Sequence, residues 1–174
     1  MNQRDFPRFD ENTAPLPARG ALLRSRQSLG VLPEPLARYA SSPLMLETAL
    51  AGLDAFEKRT SLSPLEREVL AMTMGHENGC KFCLALHRRL LRAKQAPADV
   101  VAALEAGEPL PEPRLEALRK FVLALLREHG DVPQAIWNDF RAAGYSHEQA
   151  LEVLTGVSVY TLTTLANRLT ESSE

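Results

Sequence analysis

The sequence predicts an all-α fold, because three signals recur along it. Apolar residues return at three- and four-residue steps, Ser-x-x-Glu and Ser-x-x-Gln boxes with prolines mark helix starts, and glycines punctuate the segments. The only β-type alternation, Val157–Val159, lies inside a helical pattern. With 174 residues, the chain can bury one substantial core and is too short for two comfortable ones, so a single domain of about seven or eight helices is expected.

Residues 1–30 hold Pro7, Pro15, Pro17 and Gly20 with little periodicity and read as an N-terminal arm, with at most a short helix over Ala21–Ser28. Such an arm either frays or wraps a neighbouring subunit. The helical domain then spans 31–174. Pro33-Glu34-Pro35 opens a short turn or helix, and Ser42-Pro43 starts a longer one whose Leu46, Leu50, Leu53 and Phe56 share a face. Ser63-Pro64-Leu65-Glu66 is a capping box, and its helix runs to about Glu77, where Asn78-Gly79 supplies a left-handed stop.

Cys80 begins the next helix, which carries Phe82, Leu84, Leu86, Leu90 and Leu91 among basic residues to about Lys94. Pro97 and Gly107 bracket a short helix, and the Pro-rich stretch 107–113 is a rigid connector between a motif-bearing half (31–107) and a second half (114–170). There, Arg114–His129 ends at Gly130, Asp131 is placed to cap a helix from about Pro133 to Gly144, and Ser146 caps the last, through about Leu169. Ser146-His147-Glu148-Gln149 followed by Glu152-Val153-Leu154 echoes the earlier box followed by Glu68-Val69-Leu70. Two related halves would produce such an echo, although one this short also arises by chance.

Composition narrows the function. A net charge of −2 provides no field for nucleic acid or an acidic membrane surface. No stretch approaches the roughly 20 apolar residues of a membrane span, and the N-terminus has no signal-like apolar segment, so a cytoplasmic protein is expected. Both cysteines fall in one motif, which in a reducing compartment points to catalysis or metal binding rather than a disulfide scaffold.

That motif is Cys80-x-x-Cys83-x-x-x-His87. Helical spacing puts the two cysteine Cα atoms roughly 5 Å apart, inside the window a disulfide accepts. Only about 3% of an ordinary thiol is ionised at neutral pH, and a helix N-terminus shifts this by less than a pKa unit, so a base is needed. His87 is the candidate. It lies one turn, about 6 Å of rise, from Cys83 and two turns, about 10.5 Å, from Cys80. Cys83 is therefore read as the attacking thiol and Cys80 as the resolving one, against the helix-end position that favours Cys80. Attack on a hydroperoxide leaves a sulfenic acid that Cys80 condenses with, and an external dithiol resets the pair. Glu68, in the apolar setting Val69-Leu70-Ala71-Met72, is the proposed partner that orients His87.

The spacing Glu68, eleven residues, Cys80-Lys-Phe-Cys83, three residues, His87 resembles the AhpD-like alkylhydroperoxidases of the wider carboxymuconolactone decarboxylase superfamily, and Leu62–Glu68 leading into Asn78-Gly79-Cys80 resembles its peroxidase-related branch. The resemblance extends from about residue 33 to 170. It implies an AhpD-like helical bundle, assembly into a homo-oligomer, no bound metal, haem or other cofactor, and reduction of a peroxide with electrons from a lipoyl protein or a thioredoxin-like donor. It also implies Cys83 as peroxidatic cysteine, Cys80 as resolving cysteine, His87 as base and Glu68 as its relay partner. One position departs: family members place a second histidine just before the second cysteine, where this chain has Phe82, which cannot relay protons.

Other residues read as ordinary. His76, Glu77, His129 and His147 suit helix ends. Lys81, Arg88, Arg89 and Arg92 suit a solvated face, and Trp137, Phe121 and Tyr160 suit a core. Two competing readings are a structural zinc site, for which one Cys pair and His87 fall short of the usual four ligands, and a non-catalytic helical module whose thiol pair senses oxidation.

Overall fold

A computed structural model describes residues 6–171, which contain nine α-helices and no strand. They are α1 (Leu16–Leu29), α2 (Glu34–Tyr39), α3 (Pro43–Arg59), α4 (Pro64–Glu77), α5 (Lys81–Ala93), α6 (Ala98–Ala106), α7 (Pro113–Arg127), α8 (Gln134–Ala142) and α9 (His147–Thr170). The chain divides into two compact units, whose boundaries fall within α3 and α9.

In the first unit, described residues 6–54 and 165–171, small side chains set the packing. Ala14, Ala18, Ala21 and Leu22 are buried with Leu36, Tyr39, Ala40, Leu46 and Ala49. The Tyr39 hydroxyl donates to Asn167 Oδ1 at 2.5 Å, so the one polar group in this cluster is satisfied. α1 begins at Leu16, five residues before the short helix expected over Ala21–Ser28, because Pro17 sits in its first turn, where a missing N–H costs nothing.

In the second unit, residues 55–164, α4 packs against α5, α6 and α7, and α7 packs on α8. Every residue of α4 from Glu68 to Gly75 is buried, so this helix is the centre of the unit. Val69, Leu70, Met72, Met74, Leu91, Leu118 and Val122 are among its fully buried side chains, each contributing on the order of 1.5–3 kcal/mol by leaving water. Phe121, Phe140 and Tyr145 stack in sequence, with centroids 4.0 and 4.4 Å apart. Trp137 is only partly buried at the edge of this stack rather than in the core.

Local chemistry sets most helix ends. Ser63 Oγ accepts from Glu66 N–H at 3.2 Å while Glu66 Oε2 accepts from Ser63 N–H at 2.7 Å, closing the expected box. Ser146 and Gln149 close the second in the same way, at 2.9 and 3.0 Å. Two expected starts differ. Pro133, not Asp131, precedes α8, with no side-chain cap, and Glu112 caps α7 by accepting from Arg114 and Leu115 N–H.

Candidate active site

The turn that builds the site is the α4–α5 corner. Gly79 adopts φ 61°, a conformation in which a Cβ is disfavoured. The Gly79 N–H bonds His76 O at 3.0 Å and the Cys80 N–H bonds Gly75 O at 2.8 Å, a Schellman closure that satisfies the last α4 carbonyls. The chain therefore reverses within two residues, and Cys80 becomes the N-cap of α5 rather than its first helical residue. Gly75 matters to the same corner, because a Cβ there would stand 3.1 Å from Leu84 Cδ2 and 3.6 Å from Cys83 Cβ.

Helix α5 is amphipathic, and its buried face is the row Cys83, His87, Leu91. Leu86 and Leu90 face outward instead, and Arg88 and Arg92 pair with Glu105 across the surface at 3.0 and 3.3 Å. Cys80 and Cys83 form a disulfide with Cα atoms 5.3 Å apart, and the Cys83 N–H donates to Cys80 Sγ at 3.3 Å. Cys80 is 0% exposed and Cys83 6%, so Cys83 is the more accessible residue of the pair.

From α4, Glu68 Oε2 lies 2.8 Å from His87 Nδ1. Glu68 is 2% exposed and His87 7%, so this contact is dry. Burial alone would raise the Glu68 pKa, but the hydrogen bonds and charges of His87 and Lys94 outweigh it and hold the carboxyl below its usual range. An ionised carboxylate only accepts. In its neutral form His87 must therefore carry its proton on Nδ1, which leaves the Nε2 lone pair available.

Two groups that meet the Glu68–His87 pair were not assigned to the site from the sequence. Lys94, the C-cap of α5, donates from Nζ to Glu68 Oε1 at 2.5 Å. Tyr160 on α9, read from the sequence as core, sets its ring edge-on to His87 with centroids 5.5 Å apart at 71°. Its phenol is pushed far above its usual pKa by burial, with Glu57 and Glu68 adding to the effect, so it stays protonated. The signal for Lys94 was its position seven residues after His87, on the same helix face. The signal for Tyr160 was absent, since its contact depends on how α9 packs.

The structure thus brings together three of the predicted residues through α5 and joins the fourth, Glu68, from α4. Phe82 is half-buried on the same helix. Glu77, expected to cap or stay solvated at its helix end, pairs instead with Arg127 of α7 at 2.7 Å. Among the described residues no group of three or more His, Cys, Asp or Glu side chains is arranged to hold a metal ion, and no helix is long and apolar enough to cross a membrane.

Residues 45–122, which include Glu68, Cys80, Cys83 and His87, match the model of the carboxymuconolactone decarboxylase family. No curated protein matches the chain. Among solved structures, an uncharacterized peroxidase-related protein with an alkylhydroperoxidase AhpD core from Ralstonia eutropha JMP134 superposes with a TM-score of 0.78 at 23% identity, over 97% of this chain and 88% of that one. A peroxidase-related protein from Silicibacter sp. TM1040 gives 0.73 at 20% identity, over 95% and 87%. A variant of the debrominase Bmp8 in complex with 2,3,4-tribromopyrrole gives 0.78 at 14% identity, over 97% and 90%. Residues 45–122 thus match the carboxymuconolactone decarboxylase family model, and the described residues share the all-helical, AhpD-like fold.

Proposed function

We propose that the chain is a thiol-dependent peroxidase that reduces an alkyl or hydrogen peroxide through Cys83 and Cys80. The observation that carries this reading is the buried 2.8 Å contact between Glu68 and His87, one helical turn from Cys83. With Nδ1–H committed to Glu68, Nε2 takes the Cys83 thiol proton. The thiolate attacks the distal peroxide oxygen, the O–O bond breaks, and the leaving alkoxide takes that proton back to give an alcohol. Cys83 is now a sulfenic acid. The Cys80 thiol condenses with it, forming the disulfide and releasing water. An external dithiol, from a lipoyl or thioredoxin-like donor, then exchanges with the disulfide and leaves as its own oxidised form. A cytoplasmic setting supplies such donors, and assembly into a homo-oligomer accompanies this reading.

Glu68 acts here as the partner that orients His87 and stabilises its positive charge, rather than as a group that touches peroxide. Phe82 gives the site no second imidazole, so His87 carries the proton alone. Steady-state consumption of tert-butyl hydroperoxide in the presence of dihydrolipoamide tests the proposal. Many turnovers per chain are expected. A single oxidation event with no further consumption would replace the enzyme with a redox sensor, and turnover of a bromopyrrole without turnover of hydroperoxide would move the chemistry to dehalogenation.

A further inference from the structure

We propose that Lys94 is a positioning residue of this site, whose ammonium fixes the Glu68 carboxylate so that Oε2 faces His87 and keeps that carboxylate charged within a helix buried on every side. The two carboxylate oxygens divide their work. Oε1 accepts from Lys94 Nζ at 2.5 Å and Oε2 faces His87 Nδ1 at 2.8 Å. The Glu68 side chain is 3% exposed and that of Lys94 36%, so the lysine brings a solvated positive charge to an otherwise dry anion. An isolated carboxylate in such a place would take up a proton instead.

The backbone sets Lys94 in position by an unusual device. Helix α5 ends in a Schellman closure, with the Gln95 N–H bonding Arg92 O at 3.1 Å and the Ala96 N–H bonding Leu91 O at 3.1 Å. The left-handed residue in that closure is Gln95, at φ 54°, where glycine is usual. A strained residue persists where its surroundings over-determine it. Here it stops the helix directly after Lys94, two turns beyond His87 and on the same face, at the helix end where a cation is favoured.

The charged and titratable groups around Glu68 are few. His87 and Lys94 come from α5 and the protonated Tyr160 from α9, while Glu57 and Arg67, beyond Tyr160, pair with each other at 3.0 Å. Lys94 is thus the ammonium that meets Glu68 directly, whereas His87 takes up and gives back a proton during the proposed reaction. Its role in turnover rests on the peroxidase reading; its hold on Glu68 does not.

The test compares wild type, Lys94→Met and Lys94→Arg by two measurements. The first is the carboxyl 13C titration of Glu68, assigned by its loss in Glu68→Gln. The second is the pH dependence of the rate constant for thiol oxidation by hydroperoxide. In Lys94→Met the Glu68 titration should move up by about one pH unit or more, and the acid limb of the rate profile should follow it. Lys94→Arg, which restores the charge, should return both toward wild type. A Glu68 titration unmoved in a folded Lys94→Met protein overturns the proposal. A titration that moves in a protein that never reacts with peroxide supports the hold on Glu68 and removes the peroxidase reading instead.

Discussion

Replacing Glu68 by Gln changes almost no volume and removes one charge, which makes it a sharp probe of the site. The carboxylate oxygens face Lys94 Nζ at 2.5 Å and His87 Nδ1 at 2.8 Å. A glutamine has one carbonyl oxygen, so it can serve only one of these donors. If the carbonyl turns to Lys94, the amide NH2 faces His87 and forces the ring to present an unprotonated Nδ1, which puts the proton on Nε2, the nitrogen proposed to act as the base. The base is then blocked. If the carbonyl turns to His87, the tautomer survives but the imidazolium that forms during attack loses its counter-charge. A hydrogen bond to a charged group is worth about 1.5–3 kcal/mol, so either outcome predicts a fall of about ten- to 150-fold in the rate constant for Cys83 oxidation. The assay is single-turnover loss of thiols when the reduced protein meets excess hydroperoxide near neutral pH. An oxidation rate equal to wild type in a folded Glu68→Gln protein would refute the assignment of Glu68 to this role.

Two further outcomes concern stability. Because the folded-state pKa of Glu68 is depressed below its ordinary 4.5, its contribution is present above that value and is lost as pH falls through the folded value. The difference in urea stability between wild type and Glu68→Gln should therefore shrink as pH drops below 4.5, and a constant difference would contradict the ionised, partnered carboxylate. Gly156 on α9 offers no room for a side chain, since a Cβ would stand 2.7 Å from Phe56 Cε2 and 2.8 Å from Leu70 Cδ1. Gly156→Ala should cost about 1–3 kcal/mol in denaturant unfolding, and unchanged stability would mean that Phe56 and Leu70 yield freely.

What was readable in advance follows from how local each cause is. The Ser63 and Ser146 boxes and the Asn78-Gly79 stop are decided by side chains within three residues of the backbone groups they satisfy, and all three formed as expected. α1 was read too short, because its burial depends on alanines, Ala14, Ala18 and Ala21, which carry little periodic signal until their packing partners are known. Asp131 had the right chemistry for a cap, but Pro133 takes the position before α8. The site divides in the same way. The i, i+4 relation of Cys83 and His87 is written in one helix, whereas Lys94 reaches Glu68 across 26 residues of sequence, and only because Gln95 ends α5 without the glycine that would have announced it. Tyr160 reaches His87 from still further along the chain.

The division of labour between the two sulfurs is what the account depends on most. Cys80 is fully buried and caps α5, while Cys83 keeps slight exposure and shares its face with His87. The direct measurement is to expose reduced Cys80→Ser and Cys83→Ser proteins to one equivalent of hydroperoxide, trap sulfenic acid with a dimedone reagent, and map it by peptide mass spectrometry. Trapped adduct on Cys83 in the Cys80→Ser protein, with none in Cys83→Ser, is the predicted result. Adduct on Cys80 in Cys83→Ser, and none on Cys83 in Cys80→Ser, would contradict it.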